Sequence, residues 1–555
     1  MRRFNLFMLI GVGLVMAVFL AACTGKTTNE AENDSQDNSG TSDEEEVMNL
    51  SVSSSLQTMD TSLAADALSF QWLNVTKEGL YRYGLKGEHI PGVAKNHEVS
   101  EDGLTWVFHL RENAKWLNGD TVTAEDFVYS WRRALDPSTG SEYGPYVMGG
   151  IIKNSQAVID GEMKPEELGV KAVDDFTLEV QLEKPIPYFK SMTSFGTFFP
   201  INKDKAEKYG EEYAMEAKST DSNGPYTMKE WNHGEGWVVE KNPEYWDAEN
   251  VDIEKITASV IKETSTAVNL YESGEVDHVE LNSEFVSEYK TSEEYNTGLD
   301  PAVYFMKTNM EANKALANIK VRKALQMIVD RQSLVDVILN NGSIPATGFL
   351  PKGFAIHPET GQDLREMNGP LIETNKKKAK QLWNEAKDDL GIEKLELEYL
   401  SGDTEQSRNI SAYIKAQLEE LEGLNIKVVS VPGKIRTERM NNMNYELAMS
   451  AWGPDYRDPN TFMDLFVTDG PHNKTGFSNK EYDQLLKDAA TTYVHDPEKR
   501  YDLFLKAERI LVQEDAVIMP IYQRGKSYLV KSHIKGFRTN VMGPHYTYQD
   551  ATIKE

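Results

Sequence analysis

One thiol stands alone in this sequence. Cys23 is the only cysteine among 555 residues, and it follows Leu20-Ala21-Ala22 at the end of an apolar run. A thiol in that setting matches a lipobox, where diacylglycerol is joined to sulfur through a thioether and the chain is cut before the cysteine. Two acyl chains hold a protein stably on a bilayer, which one chain does not. The alternative is a retained anchor helix with an inert Cys23. With no second cysteine, the chain has no internal disulfide and depends on packing. Other reactive groupings are missing. The ten histidines are scattered, with no pair at helical ligand spacing. No nucleophile elbow, glycine-rich phosphate loop or His-Glu-x-x-His occurs. With 88 Asp and Glu residues, no acid/base pair can be singled out. No catalytic residue, metal ligand or cofactor is therefore assigned.

Arg2 and Arg3 followed by the apolar stretch Phe4 to Phe19 predict a signal peptide over residues 1–22. Residues 23–47 are read as a lipid-anchored acidic tether. Thr24 to Glu46 is almost wholly Ser, Thr, Asn, Gly and acid, ending in Asp43-Glu44-Glu45-Glu46, and cannot bury enough apolar surface to fold. The formal charge of −29 argues against nucleic-acid binding, which needs a basic footprint.

From Met48 the pattern becomes globular. Strands are predicted at Leu50 to Val52, Thr105 to Leu110, Phe176 to Leu182, Trp237 to Lys241, Ile256 to Ile261, Leu395 to Leu400, Ile426 to Val431 and Glu446 to Ala451. Helices are predicted at Ala124 to Leu135, Ile319 to Asn340, Lys376 to Ala386, Asp403 to Leu421, Lys480 to Ala490 and Pro497 to Val512. Strands alternating with helices indicate an α/β fold.

The segment Ala94 to Trp131 reads as a strand, a turn at Asn118-Gly119 and a capped helix, and its wording resembles a signature of the solute-binding proteins that serve peptide, nickel and related ABC importers. Asn223-Gly224-Pro225-Tyr226, Asn242-Pro243-Glu244-Tyr245-Trp246, Ser273-Gly274-Glu275-Val276-Asp277, Val321-Arg322-Lys323-Ala324-Leu325 and Trp452-Gly453-Pro454-Asp455-Tyr456 follow in the family's order. The oligopeptide-binding branch is the one most resembled. The resemblance implies a two-lobed, periplasmic-binding-protein-like fold that closes on its ligand by a hinge, with an extra domain inserted in the first lobe. Lobe I would comprise residues 48–78, 202–304 and 525–555, the inserted domain 79–201, and lobe II 305–524. The hinge strands would lie near Tyr304-Phe305 and Arg524-Gly525.

The resemblance also implies a function and a site. The chain would be a monomeric extracytoplasmic lipoprotein, not an enzyme, that captures oligopeptides and passes them to ABC permease subunits. The long acidic tether suggests a Gram-positive cell surface. A non-peptide ligand such as a nickel chelate, haem or sugar is the alternative, and a surface adhesin or enzyme is a third reading. Ligand main chain would pair with Ala65-Asp66-Ala67 and Ser450-Ala451-Trp452-Gly453. Asp455 would receive the ligand's ammonium group, its structural alternatives being a turn cap or a pair with Arg457. Tyr143 would help close the inserted domain, Trp452 would line a side-chain pocket, and Asn282 and Phe195 would lie near the ligand. Each also has a structural reading as packing or surface. The sequence departs from enterobacterial relatives at Met449, where they carry an arginine, and around Gly433, where they carry a tryptophan. They also have a disulfide absent here. Met440, Met443 and Met449 are thus expected to form a roomy, apolar far end, since methionine adapts to varied shapes.

Overall fold

A computed structural model of the chain describes residues 46–84, 87–357, 359–454, 456–470, 472–540 and 543–554. The signal segment, Cys23 and all but the last residues of the expected tether lie outside it, as does Asp455. In chain order, the elements that matter for the site begin with β1 (Val47–Val52) and α1 (Ala67–Thr76). There follow β2 (Ala94–Val99), β3 (Thr105–Leu110), α2 (Ala124–Leu135), β4 (Val170–Asp174) and β5 (Thr177–Gln181). Next come β6 (Tyr226–Asn232), β7 (Gly236–Lys241), β8 (Lys255–Val260), β9 (His278–Leu281) and β10 (Tyr295–Thr308). The remainder comprises α3 (Ile319–Ile328), α4 (Lys376–Leu390), β11 (Leu395–Gly402), α5 (Glu405–Leu418), β12 (Leu424–Val431), β13 (Leu447–Trp452), α6 (Lys480–Ala490), α7 (Pro497–Glu508) and β14 (Ile518–Val530).

Alternation explains the sheets. Trp106, Phe108 and Leu110 of β3 all point inward and are buried, while Thr105, Val107 and His109 are only half-buried. They anchor a four-stranded antiparallel sheet, β2-β3-β5-β4, whose core runs from Leu80 to Phe198. The turn before α2 carries Gly119 at φ +88°, a conformation glycine adopts without strain. The Thr123 N–H then donates to Asp126 (2.8 Å), satisfying a donor at the helix entrance.

The larger sheet has eleven strands, ten of them in the order β12-β11-β13-β10-β14-β9-β1-β8-β7-β6. The pairs β12/β11, β11/β13, β9/β1 and β1/β8 are parallel, whereas the centre β13-β10-β14-β9 and the far end β8-β7-β6 are antiparallel. The long strands β10 and β14 form that centre, paired from Tyr295↔Leu529 to Lys307↔Ile518. Their register breaks between Leu299 and Val303 and again between Tyr304 and Phe305. At the first break the Arg524 guanidinium donates to Asp300 (2.6 Å).

One helix differs from the sequence pattern. Ile319 to Asn340 has continuous helical periodicity, yet α3 stops at Ile328 and a new helical segment starts at Arg331. Asp330 caps the second segment, accepting from the Ser333 N–H (3.1 Å) and hydroxyl (2.7 Å). The break frees the carbonyls of Gln326 and Val329, and the buried Arg331 guanidinium donates to both and to Pro520 O. Tertiary hydrogen bonding thus overrides local periodicity.

His278 supplies a pH test of the fold. It is buried on β9 among Tyr528, Phe537 and Tyr546, with Nε2 unpartnered among the described residues. Burial pushes its pKa down from 6.5 to about 4. The unfolded chain therefore takes up the proton first, and this contribution to stability is lost as pH falls from 6.5 towards 4. The loss from His278 is expected to reach roughly 3 kcal/mol. Urea unfolding of the native chain and of His278→Gln at pH 7 and pH 4.5 checks it: the variant should lose distinctly less.

Candidate ligand-binding cleft

The edge of β13 is the first feature of the site. On one side it pairs with β10 along its whole length, Leu447↔Thr308 to Trp452↔Val303. On the other it meets β11 only at Leu447↔Tyr399 and Ala448↔Leu400, after which β11 continues alongside β12. From Met449 to Trp452 the outer edge therefore has no strand partner among the described residues. Such an edge offers backbone donors and acceptors to an incoming strand. Ala451 and Gly453 are exposed, and Ser450 and Trp452 half-buried.

A chain of rings connects Trp452 to the segment Ala65-Asp66-Ala67. Asp66 is the N-cap of α1, accepting from Leu68 N (3.1 Å), Ser69 N (3.0 Å) and the Ser69 hydroxyl (2.6 Å), so its carboxylate is committed to the helix. Ala65 and Ala67 on either side are exposed. One turn on, Phe70 packs against Phe195 (4.5 Å between centroids) and Tyr143 (5.1 Å), which stack on each other (5.8 Å). Tyr143 meets Tyr146, Tyr146 meets His472, and His472 lies 5.8 Å from Trp452. Phe195, Tyr146, His472 and Trp452 line a cavity of about 450 Å³, shared with Tyr188 and Tyr456. Ala67 and Asn282 line a second cavity of about 460 Å³ with Glu280, Lys526 and His545. There the Asn282 side chain caps the helix Ser283–Tyr289. Of the expected residues, Phe195 and Trp452 thus line the first cavity and Ala67 and Asn282 the second, while Phe70 of α1 packs on Phe195 in the wall of the first.

Met449 is placed differently from the sequence expectation. Its side chain is buried in the core with Met306, Met519 and Tyr399. Met440 packs in a small cluster with Leu400, Tyr445 and Ala448. Alternation along β13 turns Met449 away from the face that carries Ser450 and Trp452.

Around Asp455 the flanking residues are fixed. Tyr456 stacks on Tyr188, centroids 4.0 Å apart and planes 3° from parallel. Asn460 Nδ2 donates to its hydroxyl (3.0 Å), which donates to Asp464 (3.3 Å). Burial pushes the Tyr456 phenol well above its usual range. Arg457 donates to the carbonyls of Gly87 and Phe354. Asp458 and Arg500, each 3% exposed, form a two-pronged ion pair. Tyr188, His472, Tyr146 and Phe70 carry no motif, and sequence reading missed them. The one hint was the run Ile186-Pro187-Tyr188, an aromatic set in a proline turn.

This edge-and-cavity architecture is that of a solute receptor. The model of bacterial extracellular solute-binding proteins, family 5 Middle, matches residues 88–474, and the chain belongs to that family. Its architecture is two-lobed and mixed α/β, as in the structures it matches. A dipeptide-binding protein of Bacillus subtilis, DppE, is 32% identical over 546 residues, 98% of each chain. The structure of Listeria monocytogenes OppA bound to peptide is 39% identical, with a TM-score of 0.75, covering 92% of this chain and 100% of that one. The pheromone receptor PrgZ, in a structure describing its mode of peptide binding, is 35% identical, with a TM-score of 0.76 and the same coverage.

Proposed function

We propose that the protein is the peptide-capturing subunit of an ABC importer, holding oligopeptides along the open edge of β13 and delivering them to its permease. The observation that carries this reading is the run Met449 to Trp452, without an outer strand partner among the described residues, beside an aromatic-lined cavity. Main-chain pairing at such an edge accepts any extended peptide, leaving side chains to the cavities. The relatives named for dipeptide, oligopeptide and pheromone binding support peptide as the ligand class. Signalling peptides fall within that class.

In this reading residues 48–78, 202–304 and 525–555 form lobe I, 79–201 the inserted domain and 305–524 lobe II. The lobes swing about the register breaks of β10 and β14, with closure driven by the ligand's better contacts in the closed state. Tyr143 and Phe195 approach the ligand from the inserted domain, Asn282 and Ala65-Asp66-Ala67 from lobe I, and Ser450 to Asp455 from lobe II. Cys23 carries the lipid that keeps a monomeric receptor at the extracytoplasmic face of the membrane, on a Gram-positive surface. Native mass spectrometry of the purified protein tests the ligand class. A spread of added masses that denaturation releases as peptides is expected. One discrete non-peptide mass would overturn the reading.

A further inference from the structure

Two tyrosines are exchanged between parts of the chain that have separate cores. Tyr456, in the loop after β13, packs against the core that runs from Leu80 to Phe198. Tyr83, near the start of that stretch, packs against the core that runs from Val303 to Ile518. Each reaches into the apolar body of the other. Arg457 pins the exchange, donating to the Gly87 carbonyl on one side and to the Phe354 carbonyl (3.3 Å) on the other.

The tightest contact across this boundary is the parallel stack of Tyr456 on Tyr188, at 4.0 Å. The Arg500 guanidinium of α7 stands 5.8 Å from the Tyr188 ring. An aromatic stack contributes more than the area it buries, and a cation near a ring face adds to it. Tyr188 is presented rigidly. It lies in Lys184-Pro185-Ile186-Pro187-Tyr188-Phe189, where two prolines fix φ and Ile186 and Phe189 are buried on either side. Its carbonyl accepts from Ser191 N (2.9 Å) and from the Ser191 hydroxyl (2.7 Å). Tyr456 is held from its own side by Asn460 and Asp464. Two groups fixed in advance lose little freedom on meeting, so more of the contact energy is kept.

Both rings line the 450 Å³ cavity. In the lobe division proposed above, Tyr188 falls in the inserted domain and Tyr456 in lobe II, so the lobes cannot part without separating the rings. We infer that the Tyr188–Tyr456 stack is a clasp that holds the receptor shut over a bound peptide, with Tyr188 setting how long the peptide stays. Tyr188 is then a positioning residue, acting through Tyr456 and not through the side chains of the cargo. A contact between two protein groups stabilises the closed state equally whatever peptide lies inside, which suits a site that reads main chain. The inference rests on the peptide and lobe readings above and adds to them a cargo-independent brake on release.

Stopped-flow measurements on the full mature chain test it, reading intrinsic tryptophan fluorescence. The probes are penta-alanine and its derivatives with leucine or lysine at each position in turn. Tyr188→Ala is expected to release every peptide about tenfold faster than the native protein, with association changed by less than about twofold. Tyr188→Leu, which keeps bulk without a ring, should do the same and serves where the alanine variant does not fold. Tyr188→Phe, which keeps the stack, should release at nearly the native rate. Tyr456→Ala should match Tyr188→Ala, and the double variant should be no faster than the faster single, because the two rings form one contact. Thermal unfolding checks that each variant is folded. Native release rates in Tyr188→Ala and Tyr188→Leu would overturn the inference while leaving peptide capture intact. A faster release confined to peptides with one kind of side chain would make Tyr188 a pocket wall and overturn it too, as would effects that multiply in the double variant. Failure of the native protein to bind any of the probes would count against the peptide reading itself, and the inference would fall with it.

Discussion

Replacing Asp455 with alanine is expected to weaken binding of a free-amino peptide by about a hundredfold or more. The reasoning begins with the ligand's N-terminal ammonium, which loses its water on entering a closed cleft. A fixed carboxylate offsets that loss through charge-assisted hydrogen bonds. Removing one partner of a desolvated pair leaves the other buried and unpaired, which costs about 2–5 kcal/mol. An N-acetylated peptide isolates the effect. It should bind the native protein poorly and bind Asp455→Ala no worse. The Arg457 guanidinium, one alternative partner for Asp455, already donates to two carbonyls. Unchanged affinity of Asp455→Ala for the free-amino peptide would remove the assignment.

The second large effect concerns the loop that carries Asp455. Asp458 and Arg500 are buried together, and Arg500 also donates to Ala489 O (3.1 Å) and packs over Phe504. Asp458→Ala would strand that guanidinium without its acid, and breaking a buried pair from one side costs about 3–5 kcal/mol. Urea unfolding should show the midpoint falling accordingly. Peptide affinity should fall too, because the same pair holds the turn between Tyr456 and the helix that begins at Asn460. Asp458→Asn, which keeps part of the hydrogen bonding, should lie between native and alanine. A midpoint unchanged in Asp458→Ala would show that the pair contributes nothing.

The fold was legible where pattern and tertiary environment agree. Helices α2 and α6 have the bounds that caps and periodicity predict, since Thr123 and Asn479 mark their entrances locally. The break at Val329-Asp330 was invisible because its cause, Arg331 reaching Pro520, is distant in sequence. The central strand β14 carries Pro520 and Gly525, which blur a period-two pattern that its burial on both faces had already flattened. In the site, shared wording singles out Ala65-Asp66-Ala67 and Ser450 to Gly453, of which Ala67 and Trp452 stand in cavity walls, while Asp455 lies outside the described residues. The aromatic chain was not legible, because Phe70, Tyr146, Tyr188 and His472 come from separated loops and helices that only folding brings together. Met449 shows the converse. Its substitution for an arginine was plain in the sequence, but which face of β13 it occupied depended on register, and the register turns it into the core.

The open run of β13 has a consequence beyond capture. A strand edge that welcomes any extended backbone will also welcome the same edge of another molecule, the usual first step towards aggregated sheet. The empty receptor is thus its own potential ligand. Two properties oppose this: the run without a strand partner among the described residues is only four residues long, and every copy repels every other through its charge of −29. Repulsion between surfaces fades beyond about 8 Å at physiological salt, so it guards the edge only at close approach. A bound peptide closes the edge outright, which makes occupancy a protection against self-association as well as a step in uptake.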